Sequence, residues 1–314
     1  MTSHQKLRIG TRGSALALRQ TGIVAEKIKL RYPDWEIEVL PIKTKGDVLS
    51  NVSLMEIGGK GVFVKELEEA VLGGMVDIAV HSAKDVPAIL LAGLQIIAVP
   101  EREDVRDVLV AKDNRKLERM PRKARIGTGS LRRACQLEAL LPGLEIVPLR
   151  GNIDTRIRRG REGDLDGVIL AAAGIKRMGW NEAITQFIPI ETMLPAVGQG
   201  ALCLEARAER TELRDALSFL NDVHTEKTLA AERAFLAQMG GSCHLPLAAY
   251  AQITDKGMLI KGLIGSHSGG EIVRDEVHGN IADFRQLGEE LANRLLANGG
   301  MRLLTEAQRN IQKL

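Results

Sequence analysis

The chain has 314 residues, of which 45% are hydrophobic and 26% are charged. This length predicts two or three domains, and the composition is that of a globular chain, which excludes a disordered one. The 43 lysines and arginines nearly balance the 40 aspartates and glutamates, and only 3% of the residues are aromatic. General nucleic-acid binding is therefore not expected, because the chain lacks both an excess of positive charge and a supply of stacking side chains.

Three cysteines, Cys135, Cys203 and Cys243, are widely spaced along the chain. Their odd number and spacing fit neither a disulfide framework nor a metal site, and they suit a reducing compartment. The N-terminus shows no signal-peptide core, and no segment reaches the roughly 18 uninterrupted apolar residues of a membrane span. We expect a soluble cytoplasmic protein with no metal and no membrane partner.

Short apolar runs alternate with helical patterns in the first part of the chain. In order, the pattern predicts a strand at 7–9, a helix at 15–30, a strand at 37–42, a helix at 61–72 and a strand at 78–80. Such a βαβαβ order is typical of a largely parallel sheet. Residues 47–61 are long and aperiodic, which predicts a mobile lid, and they lack the spacing of a phosphate-binding loop.

A second series of elements follows from residue 106. It has strands at 108–111, 124–126, 145–149 and 167–170, with helices from 131 and near 154. Residues 9–20, IGTRGSALALRQ, resemble residues 126–137, IGTGSLRRACQL, and residues 75–80 resemble 164–170. Each match alone is equally explained by the glycine and serine of ordinary βα turns. Together they predict two similar doubly wound α/β lobes that face a cleft and resemble type II periplasmic binding proteins.

The rest of the chain predicts a return to the first lobe and then a different unit. Residues 201–205 suit an added strand of the first sheet, and the Gly-Gln-Gly at 198–200 suits an interdomain hinge or a tight turn. A helix at 226–239, strands at 247–253, 258–265 and 271–277, and a helix at 281–297 predict a small α+β domain. The predicted domains are 1–100 plus 201–218, 106–194, and 222–314.

Arginines and hydroxyls recur where predicted strands end and helices begin, which is where α/β folds bind ligands. A guanidinium bonds a carboxylate in a planar bidentate pair, and helix starts add free N–H groups. The arginines are Arg12, Arg132, Arg133, Arg150, Arg156 and Arg177, and the hydroxyl residues are Ser14, Thr128 and Ser130. Any one of these arginines, taken alone, is better explained by a surface ion pair. The set predicts a cleft for several carboxylates or phosphates.

Lys84 and Asp85 follow the predicted strand at 78–80, so both are expected at the same edge as the arginines. Asp85 is either a catalytic carboxylate there or a helix cap or ion-pair partner of Lys84. Cys243 lies in a glycine loop, where its sulfur is a nucleophile, an attachment point or a spare thiol. Cys135 and Cys203 lie in regular elements, where a buried inert thiol is expected.

Seven separated motifs, in collinear order, resemble porphobilinogen deaminase, also called hydroxymethylbilane synthase. They lie at residues 11–14, 58–61, 81–87, 127–133, 149–152, 195–200 and 241–243. The resemblance covers essentially the whole chain. It implies a three-domain transferase of tetrapyrrole and heme biosynthesis that joins four porphobilinogen molecules head to tail, loses ammonia at each step and releases hydroxymethylbilane. Each substrate ring carries an acetate and a propionate, which would account for the arginines.

The resemblance also implies the parts of the site. It implies a dipyrromethane cofactor, bound to Cys243 by a thioether as a permanent primer, and a lid that includes Lys60 and Phe63. Asp85 matches the catalytic aspartate, which assists departure of the amine, stabilises the resulting cation and helps remove the proton after coupling. Cofactor or substrate carboxylates would be held by Arg12, Ser14, Lys84, Thr128, Ser130, Arg132, Arg133, Arg150, Arg156 and Arg177. We expect a monomer.

The chain departs from the usual residues of this family at a few positions. The departures are Glu56 for lysine, Ala83 for methionine, Gly129 for serine, and Ser242 and His244 on either side of Cys243. None of them removes a charged catalytic group. Glu56 would oppose an anionic substrate from the lid.

Two other functions stay open from the residues alone. An organic-anion solute-binding protein would share the two lobes, but it needs an export signal and leaves the third domain unexplained. The effector domain of a transcription factor needs a helix-turn-helix, and neither end of the sequence shows a candidate.

Overall fold

A computed structural model describes residues 6–44, 64–240, 245–266 and 269–312. For residues 310–312 it describes the backbone alone. The first elements are β1 (Lys6–Arg12), α1 (Ala15–Arg31), β2 (Glu36–Ile42), α2 (Lys65–Leu72), β3 (Ile78–Ser82) and β4 (Leu94–Ala98). Next come β5 (Asp107–Ala111), β6 (Arg125–Thr128), α3 (Leu131–Leu140), β7 (Glu145–Pro148), α4 (Ile153–Arg161), β8 (Gly167–Ala171), α5 (Ala172–Arg177) and β9 (Gln186–Ile188). The chain continues with β10 (Leu202–Arg207), α6 (Thr211–Leu217), α7 (Val223–Gln238), β11 (Leu247–Thr254), β12 (Gly257–Gly265), β13 (Ile272–Gly279), α8 (Phe284–Leu295) and α9 (Met301–Gln312).

Two five-stranded sheets share one topology. The first runs β2-β1-β3-β10-β4 and the second β7-β6-β8-β5-β9. In each sheet the first three strands are parallel and the fourth is antiparallel to its neighbours. Because β5 follows β4 and β10 follows β9, the chain crosses between the lobes twice, at 99–106 and 189–201. We call these segments the first and second crossovers.

The two stretches of similar sequence occupy equivalent places. Residues 9–20 span the end of β1 and the start of α1, and residues 126–137 span β6 and α3. A Cβ at Gly10 would lie 3.0 Å from a Val76 methyl, and one at Gly127 would lie 2.6 Å from a Leu165 methyl. Both glycines therefore allow close packing on a central strand. The predicted α/β class with two similar doubly wound lobes is confirmed.

Helix α1 shows why the first lobe folds as it does. The Ser14 hydroxyl accepts the Ala17 N–H at 3.3 Å and caps the helix, while Lys29 and Arg31 lie in its last turn, where cations favour the helix dipole. Val24 and Ile28, four residues apart, face the core beneath the sheet. The helix thus presents one apolar stripe to the strands and starts at the edge where β1 ends.

The third unit, residues 222–312, is built on the antiparallel sheet β11-β12-β13. Phe235 of α7 is fully buried in its core. A Cβ at Gly288 would lie 2.1 Å from the Ala231 carbonyl oxygen, so α8 crosses α7 at close range. The predicted small α+β domain is confirmed in class, whereas the three sets of domain bounds stay predictions. Among the described residues no helix is long and apolar enough to cross a membrane.

Candidate active site

Asp85 lies where β3 ends. After Ser82 the chain makes a single 3-10 turn, Ala83–Asp85, and Val86 is extended before Pro87. Asp85 keeps 32% of its side chain exposed, and its Oδ2 lies 3.9 Å from Nη1 of Arg12. Arg12 ends β1, which pairs in parallel with β3, so both side chains reach the same edge of the sheet. Both residues thus lie at one edge of the sheet, while their roles stay predictions.

The segment after Asp85 is fixed from the third unit. Arg233 of α7 donates from Nη2 to the carbonyls of Pro87 at 2.7 Å and Ala88 at 3.1 Å, and from Nη1 to that of Val86 at 3.4 Å. Three carbonyl acceptors on consecutive residues hold this backbone in one path. The direction of the Asp85 turn is therefore set partly by a helix more than 140 residues further along the chain.

Lys84 supplies a cation that is easily neutralised. Among the described residues its ammonium makes no hydrogen bond or ion pair. Burial lowers its pKa to about 8, and the nearby positive charges of Arg133 and Arg132 act in the same direction against Asp85 and Asp107. Such a lysine is a good partner for an external anion, since that anion would restore its charged form.

Arg132 and Arg133 begin α3 and are both buried. Nη1 of Arg132 and Nη2 of Arg133 each lie 2.7 Å from an oxygen of Asp107, which has no exposed surface. Burial alone would raise the pKa of Asp107, but the two guanidinium charges outweigh it and hold that pKa well below its usual range. Asp107 was not predicted from the sequence, because it begins the apolar run of β5 and has the appearance of an ordinary strand residue.

Arg150 and Arg156 come from the turn before α4 and from its first half. Nε of Arg156 donates to the Gly151 carbonyl at 2.7 Å, and Gly151 has a φ of 102°, which only glycine adopts readily. Burial lowers the pKa of Arg156 to about 10, and the charges of Arg133, Arg150 and Arg12 add to the shift while Asp85 opposes it. Positive charges thus crowd together at the cleft.

The predicted hydroxyls also lie at helix starts. The Thr128 hydroxyl accepts the Ser130 N–H at 3.2 Å, and Ser130 is the N-cap residue of α3 without a side-chain cap bond. A Cβ at Gly129 would lie 2.6 Å from the Leu149 carbonyl oxygen. A serine at this position would push the two segments apart, so Gly129 lets the turn approach the start of the Arg150 segment.

Arg177 lies elsewhere. Its Nη2 donates to the Gly200 carbonyl at 2.6 Å, and burial lowers its pKa to about 10, opposed by the charge of Glu103. Its described contacts are therefore with the second crossover. Gly198 and Gly200 have φ values of 70° and 88°, and the Ala201 N–H bonds the Gly198 carbonyl at 3.1 Å, so Gly-Gln-Gly forms a tight turn within that crossover.

Several predicted positions lie outside the described residues. They are the lid residues Lys60 and Phe63, the attachment residue Cys243, and the departures Glu56, Ser242 and His244. Their roles stay predictions. Cys135 and Cys203 are buried, as expected, and burial raises the pKa of their thiols to about 11 and about 12.

A buried cluster of titratable side chains that includes His81 of β3 was also not predicted. His81 Nε2 lies 3.0 Å from Glu205 Oε2, and burial, with the charge of Glu205 assisting, raises the pKa of nearby Glu68 to about 7. One oxygen of each glutamate has no partner among the described atoms. The His-Ser-Ala-Lys-Asp motif was the available signal, but it pointed to Asp85 and left His81 unassigned.

These residues give the cleft an excess of positive charge around one partly exposed carboxylate. The Nε–H of Arg132 is buried without an acceptor among the described atoms, and Lys84 forms no ion pair with the described residues, although the charges of Asp85 and Asp107 raise its pKa. An unmet donor and crowded cations fit a ligand with several carboxylates. Fold and site together define a two-lobed α/β protein of the binding-protein type, with cations crowded around a partly exposed carboxylate.

Comparison with known proteins gives the family. Residues 7–215 match "Porphobilinogen deaminase, dipyromethane cofactor binding domain", and residues 227–297 match "Porphobilinogen deaminase, C-terminal domain". The chain is 55% identical over 298 residues to porphobilinogen deaminase of Syntrophus aciditrophicus, covering 95% of this chain and 97% of that one. It is 44% identical over 309 residues to that of Geobacter sulfurreducens, covering 98% and 97%. The chain belongs to the porphobilinogen deaminase family.

Solved structures with a similar arrangement are more distant in sequence. One is the periplasmic aliphatic sulphonate binding protein SsuA from Escherichia coli, with a TM-score of 0.39 and 15% identity over 76% of this chain and 71% of that one.

Proposed function

We propose that this protein is a hydroxymethylbilane synthase, which joins four porphobilinogen molecules head to tail, releases ammonia at each joining and frees the product with water. The observation that carries the proposal is the single carboxylate of Asp85, held 3.9 Å from Arg12 at an edge crowded with cations. Porphobilinogen brings two carboxylates and one leaving amine, and this edge holds groups suited to both.

The carboxylates of the growing chain are assigned to the cations. Arg12, Lys84 and Arg156 offer N–H donors at the edge, and each added ring brings two negative charges that relieve their mutual repulsion. Ser14 and Ser130 are N-cap residues, where backbone N–H groups also favour anions, and Thr128 ends β6 two residues before Ser130. Arg150 completes this set, while Arg177 acts from the second crossover.

Asp85 is the group that acts at the reacting carbon. Its carboxylate can steer a proton to the departing amine, stabilise the positive charge left on the substrate, and accept the proton released after coupling. The nearby Arg12 orients the carboxylate, and the partial exposure of Asp85 leaves room for a ring beside it. One acid and base therefore serves every addition.

The family's dipyrromethane cofactor fits this cleft, because the buried Arg132 Nε–H, which has no acceptor among the described atoms, suits a cofactor carboxylate. When bound, it supplies the ring to which the first substrate is joined. Arg132 is assigned to bind it, Arg133 adds positive charge beside Arg132, and Cys243 is proposed as its attachment point. Lys60 and Phe63 are proposed as the lid.

We also propose that the protein is a cytoplasmic monomer. Its proposed domains, 1–100 plus 201–218, 106–194 and 222–314, follow the two lobes and the third unit. An organic-anion solute-binding protein would use the same arginines, but it gives no task to Asp85 and no reason for the third unit to hold residues 86–88.

Asp85→Asn tests the proposal. We expect the wild-type protein to consume porphobilinogen, and the variant to lose at least about 100-fold in kcat because an amide neither takes up the proton nor stabilises the cation. Asp34→Asn, an exposed carboxylate on a turn, is the matched control and should keep normal turnover. Porphobilinogen consumption by Asp85→Asn at the wild-type rate would refute the assignment.

A further inference from the structure

We infer that Asp107 is a positioning residue, which holds Arg132 and Arg133 in the cleft as an internal substitute for a ligand carboxylate. The inference rests on the proposed function, since it assigns different roles to two arginines that are proposed to bind carboxylates. Asp107 is the first residue of β5 and has no exposed surface. A charge in that position is costly unless it faces an opposite charge and both of its oxygens accept hydrogen bonds.

The contacts of Asp107 meet that requirement. Oδ1 accepts from Arg133 Nε at 2.9 Å and Nη2 at 2.7 Å, and from Gln199 Nε2 at 3.0 Å. Oδ2 accepts from Arg132 Nη1 at 2.7 Å. One negative charge therefore faces two positive ones, and the buried group of three keeps a net charge of +1.

The two arginines are left in different states. Arg133 uses all three of its nitrogens, because Nη1 donates to the Ile169 carbonyl at 3.1 Å. Arg132 makes both of its bonds from Nη1, to Asp107 and to the Leu194 carbonyl, and its Nε–H has no acceptor among the described atoms. Arg133 is thus fixed to the protein, while Arg132 retains a buried donor and the group retains a positive charge for an anion.

Asp107 also ties this pair to both crossovers. Gln199 of the second crossover donates from the same Nε2 to the Val105 carbonyl of the first at 2.7 Å. Arg102 of the first crossover donates from Nε to the Gln199 carbonyl at 2.8 Å. The position of the arginines is therefore coupled to the place where the lobes join, and Gln199 is the connecting side chain.

Asp107→Asn separates positioning from simple packing. The amide keeps the shape of the side chain but leaves two buried guanidinium groups without their negative counter-charge. An external anion can take the place of that charge, so it should bind the variant more tightly than the wild type, in which Asp107 already occupies this position. We expect a lower Tm for the purified variant in chloride. We expect inorganic phosphate, at equal ionic strength, to recover much of that loss, with an apparent affinity about tenfold tighter than for the wild type.

Asp104→Asn is the matched control. Asp104 accepts hydrogen bonds from Arg106, a more exposed arginine, at 2.7–3.1 Å. Its loss should lower Tm without changing the response to phosphate. An equal phosphate response in Asp107→Asn and the wild type would overturn the inference.

Gln199→Met decides the matter if Asp107→Asn does not fold. This change keeps the size of the side chain and removes the donor to Asp107. We expect the KM for porphobilinogen to rise about tenfold, with a smaller fall in kcat, because a hydrogen bond to a charged group is lost. An unchanged KM would overturn the inference. Wild-type turnover is measured separately, so its absence would count against the proposed function and leave the phosphate result to test Asp107.

Discussion

At the scale of single residues, the ends of the predicted strands were enough to place several side chains at one edge of the sheet. Arg12 ends one strand and Asp85 comes shortly after another that pairs with it in parallel, so topology places both at one edge, where they lie 3.9 Å apart. Asp107 could not be found in this way, because its partners Arg132 and Arg133 are 25 and 26 residues away. A charged residue at the start of an apolar run looks like a strand boundary until its buried partners are known.

Lys84 gives a prediction about pH. Burial lowers its pKa to about 8, so the ammonium is charged at pH 7 and increasingly neutral above pH 8, whereas carboxylates stay charged throughout. If Lys84 binds a substrate carboxylate, the KM for porphobilinogen should rise about tenfold by pH 9, as the charged fraction falls to about a tenth. Steady-state kinetics from pH 7 to 9 measures this rise.

Lys84→Arg is the control for that measurement, since a guanidinium keeps its charge to far higher pH. Its KM should stay nearly level over the same range, even if it starts from a higher value. Superimposable pH profiles for Lys84→Arg and the wild type would rule out Lys84 as the titrating group.

At the scale of elements, long amphipathic and apolar segments were predicted well. Strands β1 and β3, helix α1 and the antiparallel return strand β10 all appear where the patterns indicated. The short strands β4 and β9 were missed, and β9, with three residues, is too short to show a period. Helix α9 was missed as well, since Gly299 and Gly300 are usual stop signals, yet the chain continues through them into a new helix.

The contact between α7 and the Asp85 segment gives the second prediction. Arg233→Met removes three hydrogen bonds to residues 86–88 but retains a long side chain. We expect kcat to fall at least about tenfold, because a small displacement of a reacting group is costly, while KM changes less. Single-turnover kinetics with porphobilinogen gives the chemical step directly.

Arg285→Met, on the exposed face of α8, is the matched control and should leave kcat unaltered. If Arg233→Met retained full kcat, the third unit would have no part in directing Asp85.

At the scale of the whole molecule, Glu232 joins the parts. It has no exposed surface, and it accepts from Arg102 of the first crossover at 2.6 and 3.0 Å, and from the Gly198 N–H of the second at 2.7 Å. A fourth bond, at 3.0 Å, comes from the Ala251 N–H of β11. One carboxylate thus fastens both crossovers to the third unit, an arrangement that local sequence patterns do not reveal because it depends on long-range contacts.

Glu232→Gln should therefore loosen the molecule as a whole. Arg102 would lose its counter-charge in a largely buried place, which we expect to lower the free energy of unfolding by about 3 kcal/mol. Urea denaturation measures the loss. Asp215→Asn, which removes an exposed ion pair with Arg214, should change stability by less than about 1 kcal/mol. Equal stability of Glu232→Gln and the wild type would contradict the account.

We propose that the cleft works on a chain of carboxylate-bearing rings anchored at Cys243. Intact-protein mass spectrometry of purified, active enzyme measures that anchor directly. We expect a mass above that of the polypeptide by one dipyrromethane group, and we expect Cys243→Ser to lack this group and to lose turnover. A mass equal to the bare polypeptide in protein that turns over porphobilinogen would rule out the covalent primer.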